Sequence, residues 1–182
     1  MTEPYIHTFH GRRIYVRDPD LNETIHLEDV AHGLARISRF TGQTSHRYSV
    51  ASHCLMVADL LPTPLHASGL VHDAVEAILG DVSSPLKSLL PEYRALQTRW
   101  EDAMSVRWGV LLAGPEIKKA DWLAYTIERR DLMPHVSDPC PMRDGIDVPP
   151  NAPHCTRYAD HPERIAAWWY SEVLLCGVPE IA

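Results

Sequence analysis

The sequence predicts an all-α protein, a helical bundle with its polar site between helices and at most a small N-terminal β-hairpin. Three observations carry this expectation. Apolar residues recur at helical spacing in several segments, no long alternating strand pattern occurs, and β-prone runs are confined to "YIHTFHGRRIYVRD" near the start.

Taken in order, the two short β-prone runs flank His10-Gly11, a turn signal that fits a hairpin. After "HLEDV", Val30, Leu34 and Ile37 keep helical spacing, as do Val50, Leu55, Val57, Ala58 and Leu61 before Pro62 and Pro64 stop that helix. Residues 64–79, about 91–109, about 115–133 and about 161–176 give four further helices. From Pro134 to Pro162, "PHVSDPCPMRDGIDVPPNAPHCTRYADHP" is too rich in proline for a helix to pass through it. A connection this long covers a site or wraps a core. The expected organisation is one domain over 1–182, with a core at 27–133, a Pro-rich loop at 134–162 and a closing helix at 161–176.

Composition excludes several classes. At 182 residues and 45% hydrophobic, the chain can bury one sizeable core. Its formal charge of -7 opposes a polyanion-binding surface, so no nucleic-acid polymer is expected as a partner. No apolar h-region and no run of about 18 apolar residues occurs, so no signal peptide or membrane span is expected, and the protein is placed in the cytoplasm. Cys54, Cys140, Cys155 and Cys176 form no C-x-x-C pair and read as reduced thiols; the sharper alternative is a zinc site from Cys140, His154, Cys155 and His161.

One stretch resists a purely structural reading. "SVASHCLMVADLLPTPLHASGLVHDAVEAILGD" places His53, His72, Asp73, Glu76 and Asp81 in apolar, helix-forming sequence. On a helix Glu76 lies one turn from both His72 and Asp73, so three titratable groups crowd one patch. Buried carboxylates are tolerated when paired or when they coordinate a metal. His53 alone reads as a core histidine and Asp121 alone as a solvated helix charge, but beside His72-Asp73 both become candidate ligands. A set of two histidines and two aspartates suits manganese, cobalt, zinc or iron.

The segment "VHDAVEAILGD" resembles the signature of HD-domain phosphohydrolases, and His53, His72-Asp73 and Asp121 match that superfamily's ligand set in order and type. Within it the chain is similar to the YfbR-type 5′-deoxynucleotidases and the phage dATP triphosphohydrolases. The shared motifs here read Arg39-Phe40, "SVASH", "HDAVEAILGD" and "PLK", the last spanning Pro85 to Lys87, and the likeness covers roughly residues 27 to 133. The resemblance implies that His53, His72, Asp73 and Asp121 hold one catalytic metal, and that Glu76 positions or deprotonates the attacking water. It further implies that Arg39 and Lys87 face phosphate, with Arg36 a rival for that role and Arg47 a further nearby cation, and that Asp81 contacts the sugar. Asp81 is also the nearest second carboxylate for catalysis, and Phe40 stands where the bacterial nucleotidases have tryptophan. Two-metal HD proteins add histidines between the HD pair and the last Asp; none lies between His72 and His135, which favours one catalytic metal, with any additional divalent ion held by substrate phosphates.

The expected function is therefore a metal-dependent phosphohydrolase of small nucleotides, foremost a 5′-deoxynucleoside monophosphatase releasing inorganic phosphate. The alternatives are a dNTP triphosphohydrolase that releases triphosphate and deoxynucleoside, and a non-catalytic HD-like nucleotide-binding module. The family resemblance also implies a homo-oligomer, a dimer or hexamer.

Overall fold

The computed structural model of the protein describes residues 3–17, 19, 25–138 and 148–180. These are mostly helical, with one small antiparallel sheet. Strands β1 (Tyr5–His7) and β2 (Arg13–Tyr15) pair with Ile6 opposite Ile14. Their turn needs a left-handed residue, and Gly11, at φ +83°, supplies it. The hairpin is fastened to helix α1 (Leu27–Leu34) by Arg12, which donates to Glu28 at 2.7 Å and to Asp29 at 2.8 Å.

Helix α2 (Val50–Leu60) forms the centre. Ser49 starts it: the hydroxyl accepts the Ser52 N–H at 3.1 Å, satisfying one of the first-turn donors. Every residue from Val50 to Ala58 is buried, the pattern of a helix covered on all sides. Around it pack α3 (His66–Val71), α7 (Pro115–Leu132) and α8 (Pro162–Leu175). The contact between α2 and α3 is close because Gly69 has no side chain; a Cβ there would lie 2.6 Å from Ala58 Cα and 2.8 Å from Ala58 N. Backbone cannot yield as a side-chain tip would. Gly69→Ala is therefore expected to cost about 1–3 kcal/mol, measured as a Tm lower by several degrees in thermal unfolding.

The sequence predicts one helix over 64–79, and the structure divides it. Thr63–Leu65 is a 3₁₀ turn, α3 ends at Val71, and α4 (Glu76–Leu79) begins after a tightened turn. In that turn Ala74 N–H bonds to Val71 O, Glu76 N–H to Asp73 O and Ala77 N–H to Ala74 O, all three residues back. This 3₁₀ spacing winds the chain more tightly around His72 and Asp73 than the regular helix expected there.

The remaining helices start as their prolines dictate. α5 (Ser84–Lys87), α6 (Pro91–Trp108), α7 and α8 all carry proline in the first two positions, where the missing N–H costs nothing. α6 ends at Gly109, left-handed at φ +66°. Buried Trp169 on α8 donates to Leu70 O at 2.8 Å, tying α8 to α3. Within the Pro-rich region, Cys155–Tyr158 form a 3₁₀ turn that packs on α2 and α7, and Asp131 at the end of α7 accepts the Cys155 N–H at 2.9 Å. The described part of this loop wraps the helices. For the alternative zinc site, Cys140 lies outside the described residues, while His154 pairs with Asp131 and His161 with Glu163. Among the described residues no helix is long and apolar enough to cross a membrane.

Candidate metal centre

Three elements deliver the polar groups to one place. The Ser49 cap fixes the start of α2 and so sets His53 one turn inside it, fully buried. The tightened turn carries His72 and Asp73 across from it, with the two imidazole centres 5.2 Å apart. α7 supplies Asp121 from the third side, its Oδ1 lying 3.1 Å from His53 Nε2.

Hydrogen bonding decides which ring atoms face inward. The Gly69 carbonyl lies 2.8 Å from His72 Nδ1 and can only accept, so Nδ1 carries the hydrogen. His53 Nδ1 is 2.7 Å from Glu128 Oε1. Each ring is thereby oriented through Nδ1, and both Nε2 atoms are buried without a hydrogen-bond partner. Asp121 approaches His53 Nε2 without hydrogen-bonding geometry. Asp73 Oδ2 sits 3.3 Å from His72 Nε2 and 3.7 Å from His53 Nε2. Ligand atoms of His53, His72 and Asp73 fall within 4.8 Å of one another, so one ion could touch all three; Asp121 borders this group on the His53 side. Among the described residues no other set of three such side chains converges in this way.

The protonation equilibria report the same crowding. Burial would raise Asp73, but neighbouring His72, then His53 and Arg39, outweigh it and hold the carboxyl well below its ordinary range. Burial would lower His72, and Asp73 overrides it to hold the imidazole well above its ordinary value. Both shifts express a demand for positive charge where these atoms meet. Glu76 moves the other way, pushed up to about 8 by burial and by the charges of Asp73 and Asp81.

Next to this group, and sharing Asp73 and Asp121 with it, opens a cavity of about 350 Å³ that collects the remaining expected residues, while neither His53 nor His72 is in its lining. Arg39, Phe40, Asp73, Glu76, Asp81, Pro85, Lys87 and Asp121 all line it. Lys87 Nζ donates to Glu76 Oε1 at 3.2 Å, while Glu76 Oε2 is buried and unpartnered. Arg39 reaches the wall because residues 38 and 49 form an isolated β-bridge that holds its segment against the start of α2. Its guanidinium lies 3.2 Å from Glu128 and 3.8 Å from Asp73. Arg36 and Arg47, the other cations near the motif, are absent from the lining: Arg36 pairs with Glu163 and Arg47 donates to the Ala35 carbonyl.

Two features were not foreseen from the sequence. Phe40 and Thr41, both at the cavity wall, hold left-handed backbone at φ +53° and +52°. This is a strained conformation for non-glycine residues, most of all for β-branched threonine. The second is Glu128, a fully buried carboxylate two turns beyond Asp121. The available signal was its spacing, since seven residues along a helix return to nearly the same face.

Fold and site together define a helical protein in which two buried histidines meet a half-buried aspartate at the edge of a carboxylate-rich cavity. No protein-family model matches the chain. It is 35% identical over 144 residues to the uncharacterized protein YfdR of Escherichia coli (strain K12), covering 78% of this chain and 80% of that protein. It is 38% identical over 132 residues to an uncharacterized protein of Rhodobacter capsulatus, covering 66% of each. The chain belongs to the family of YfdR.

Proposed function

We propose that this protein is an HD-type, metal-dependent phosphohydrolase of small nucleotides, foremost a 5′-deoxynucleoside monophosphatase. The observation that carries the reading is the pair of buried imidazoles, each bonded through Nδ1 and each turning a bare Nε2 toward Asp73 Oδ2. Buried polar atoms without partners are costly, and a cation bound by these lone pairs removes that cost.

His53, His72, Asp73 and Asp121 would hold one divalent transition metal, with manganese, cobalt, zinc and iron all compatible with this nitrogen and oxygen set. When bound, such an ion polarises a phosphoryl oxygen and makes water more acidic. The rest is done by the chain. Glu76, on the cavity wall beside Asp73 and with one buried oxygen unpartnered, takes or directs the water proton. Lys87 and Arg39 balance phosphate charge, and Pro85 starts the helix that points Lys87 at the cavity. Asp81 and Phe40 line the side left for the sugar.

A monophosphate fits the charge available. Among the described residues only Arg39 and Lys87 contribute full positive charge to the lining, and each also faces a carboxylate, so with these cations alone a triphosphate would need additional divalent ions accompanying its phosphates. A homo-oligomer, dimer or hexamer, belongs to the same reading.

The test is product analysis by chromatography and phosphate release across deoxy- and ribonucleotide mono-, di- and triphosphates, with Mn²⁺, Co²⁺ and Zn²⁺. Inorganic phosphate from deoxynucleoside monophosphates is expected. Intact triphosphate as product would make it a triphosphohydrolase. Nucleotide binding without turnover of any substrate would leave a binding module.

A further inference from the structure

Glu128 is a fully buried acid that the proposed chemistry leaves unused. It has no solvent exposure, and its two oxygens serve two different groups: Oε1 is 2.7 Å from His53 Nδ1 and Oε2 is 3.2 Å from Arg39 Nη2. Arg39 in turn spans back to Asp73, at 3.8 Å. One carboxylate thus joins a buried histidine of the cluster to a guanidinium on the cavity wall.

We propose that Glu128 is a positioning residue linking metal binding to anion binding, an inference that rests on the metal reading of His53. Through Oε1 it fixes the hydrogen of His53 on Nδ1 and so keeps Nε2 free for the cation, the role that carboxylates play behind metal-binding histidines. Through Oε2 it holds the Arg39 guanidinium where a phosphate would meet it. A plain buried ion pair would serve Arg39 alone.

The chemistry of an amide separates the two. Glutamine offers one acceptor oxygen and an NH₂ group, whereas both His53 Nδ1–H and Arg39 Nη–H are donors. Glu128→Gln therefore turns one of the two contacts into donor against donor, and it leaves Arg39 without its buried counter-charge.

Mn²⁺ affinity is read by electron paramagnetic resonance, and inorganic phosphate affinity by thermal shift at saturating Mn²⁺. The proteins are the wild type, Glu128→Gln, Arg39→Met and the double variant, in which no buried charge is stranded. Glu128→Gln is expected to bind Mn²⁺ roughly 10- to 100-fold more weakly, and phosphate more weakly as well. Arg39→Met should lose phosphate affinity with Mn²⁺ affinity little changed. The double variant should keep the weak Mn²⁺ binding, and it decides the matter if Glu128→Gln fails to fold. Recovery of wild-type Mn²⁺ affinity in the double variant would reduce Glu128 to a counter-ion for Arg39 and overturn the proposal. Wild-type Mn²⁺ affinity in Glu128→Gln would overturn it equally. If the wild type itself binds no Mn²⁺, the metal reading fails first and takes this inference with it.

Discussion

Purified wild-type protein is expected to carry about one tightly held divalent ion, and His72→Ala and Asp121→Ala are each expected to lose it. His72 presents a buried Nε2 to the shared point, and no other described side chain is placed to replace it. Asp121 stands at the border of the compact group, so its loss tests whether the ion draws that carboxylate in. Altering a residue that merely orients a ligand typically lowers metal affinity about 10- to 100-fold, and removing a ligand should exceed that. The stability consequence is measurable too. Ion at about 100 times its Kd adds roughly 2.7 kcal/mol, and in a chain of this length each kcal/mol shifts Tm by about 2–4 °C. Elemental analysis and melting curves with and without Mn²⁺ are the measurements. Unchanged metal content in both variants would remove the ligand assignment.

Glu76→Gln is expected to keep its ion and bind nucleotide almost as the wild type does, yet to turn over at least roughly 100-fold more slowly, since general acid-base catalysis contributes about 10² to 10⁴. The substitution is close to isosteric. Its amide oxygen can still accept from Lys87, which now lies 3.2 Å from Oε1, so the cavity wall should persist while the base is lost. A fall in kcat with little change in KM marks a contribution made only in the transition state. Wild-type kcat would make Glu76 structural. Metal loss would instead make it a ligand and transfer the proton to another carboxylate, for which Asp81 on the same wall is the candidate.

These two outcomes bear on how much of the site could be read from residue order. The helical spacing of Val50, Leu55, Val57, Ala58 and Leu61 before Pro62 was legible as a helix, and His53 lies within it. His72-Asp73 in an apolar run was legible because burying such groups needs a reason. The break in the 64–79 helix was not legible, since Ala74, Val75 and Glu76 contain no glycine or proline to mark a tightened turn. Nor was the left-handed backbone at Phe40 and Thr41, whose side chains disfavour the conformation they adopt. Glu128 was hidden by its neighbours: in "ERRD" it reads as one more surface charge, and only the packing of α7 on α2 reveals which face it takes. Arg36 and Arg39, three residues apart, were rivals in the sequence, and the structure parts them, sending one to Glu163 and the other to the cavity.

The balance of charge in the cavity wall has a practical consequence for order of addition. Among the described residues four carboxylates, Asp73, Glu76, Asp81 and Asp121, share the lining with Arg39 and Lys87, and burial together with the charges of Asp73 and Asp81 holds Glu76 up at about 8. A phosphate approaching that wall by itself meets like charge at short range. On the proposed reading, cation precedes nucleotide, and a chelator abolishes the encounter as well as the turnover. Nucleotide affinities measured in chelator would then describe a different receptor from the one that works, and the cell's supply of free divalent metal would set how much of the protein can see its substrate at all.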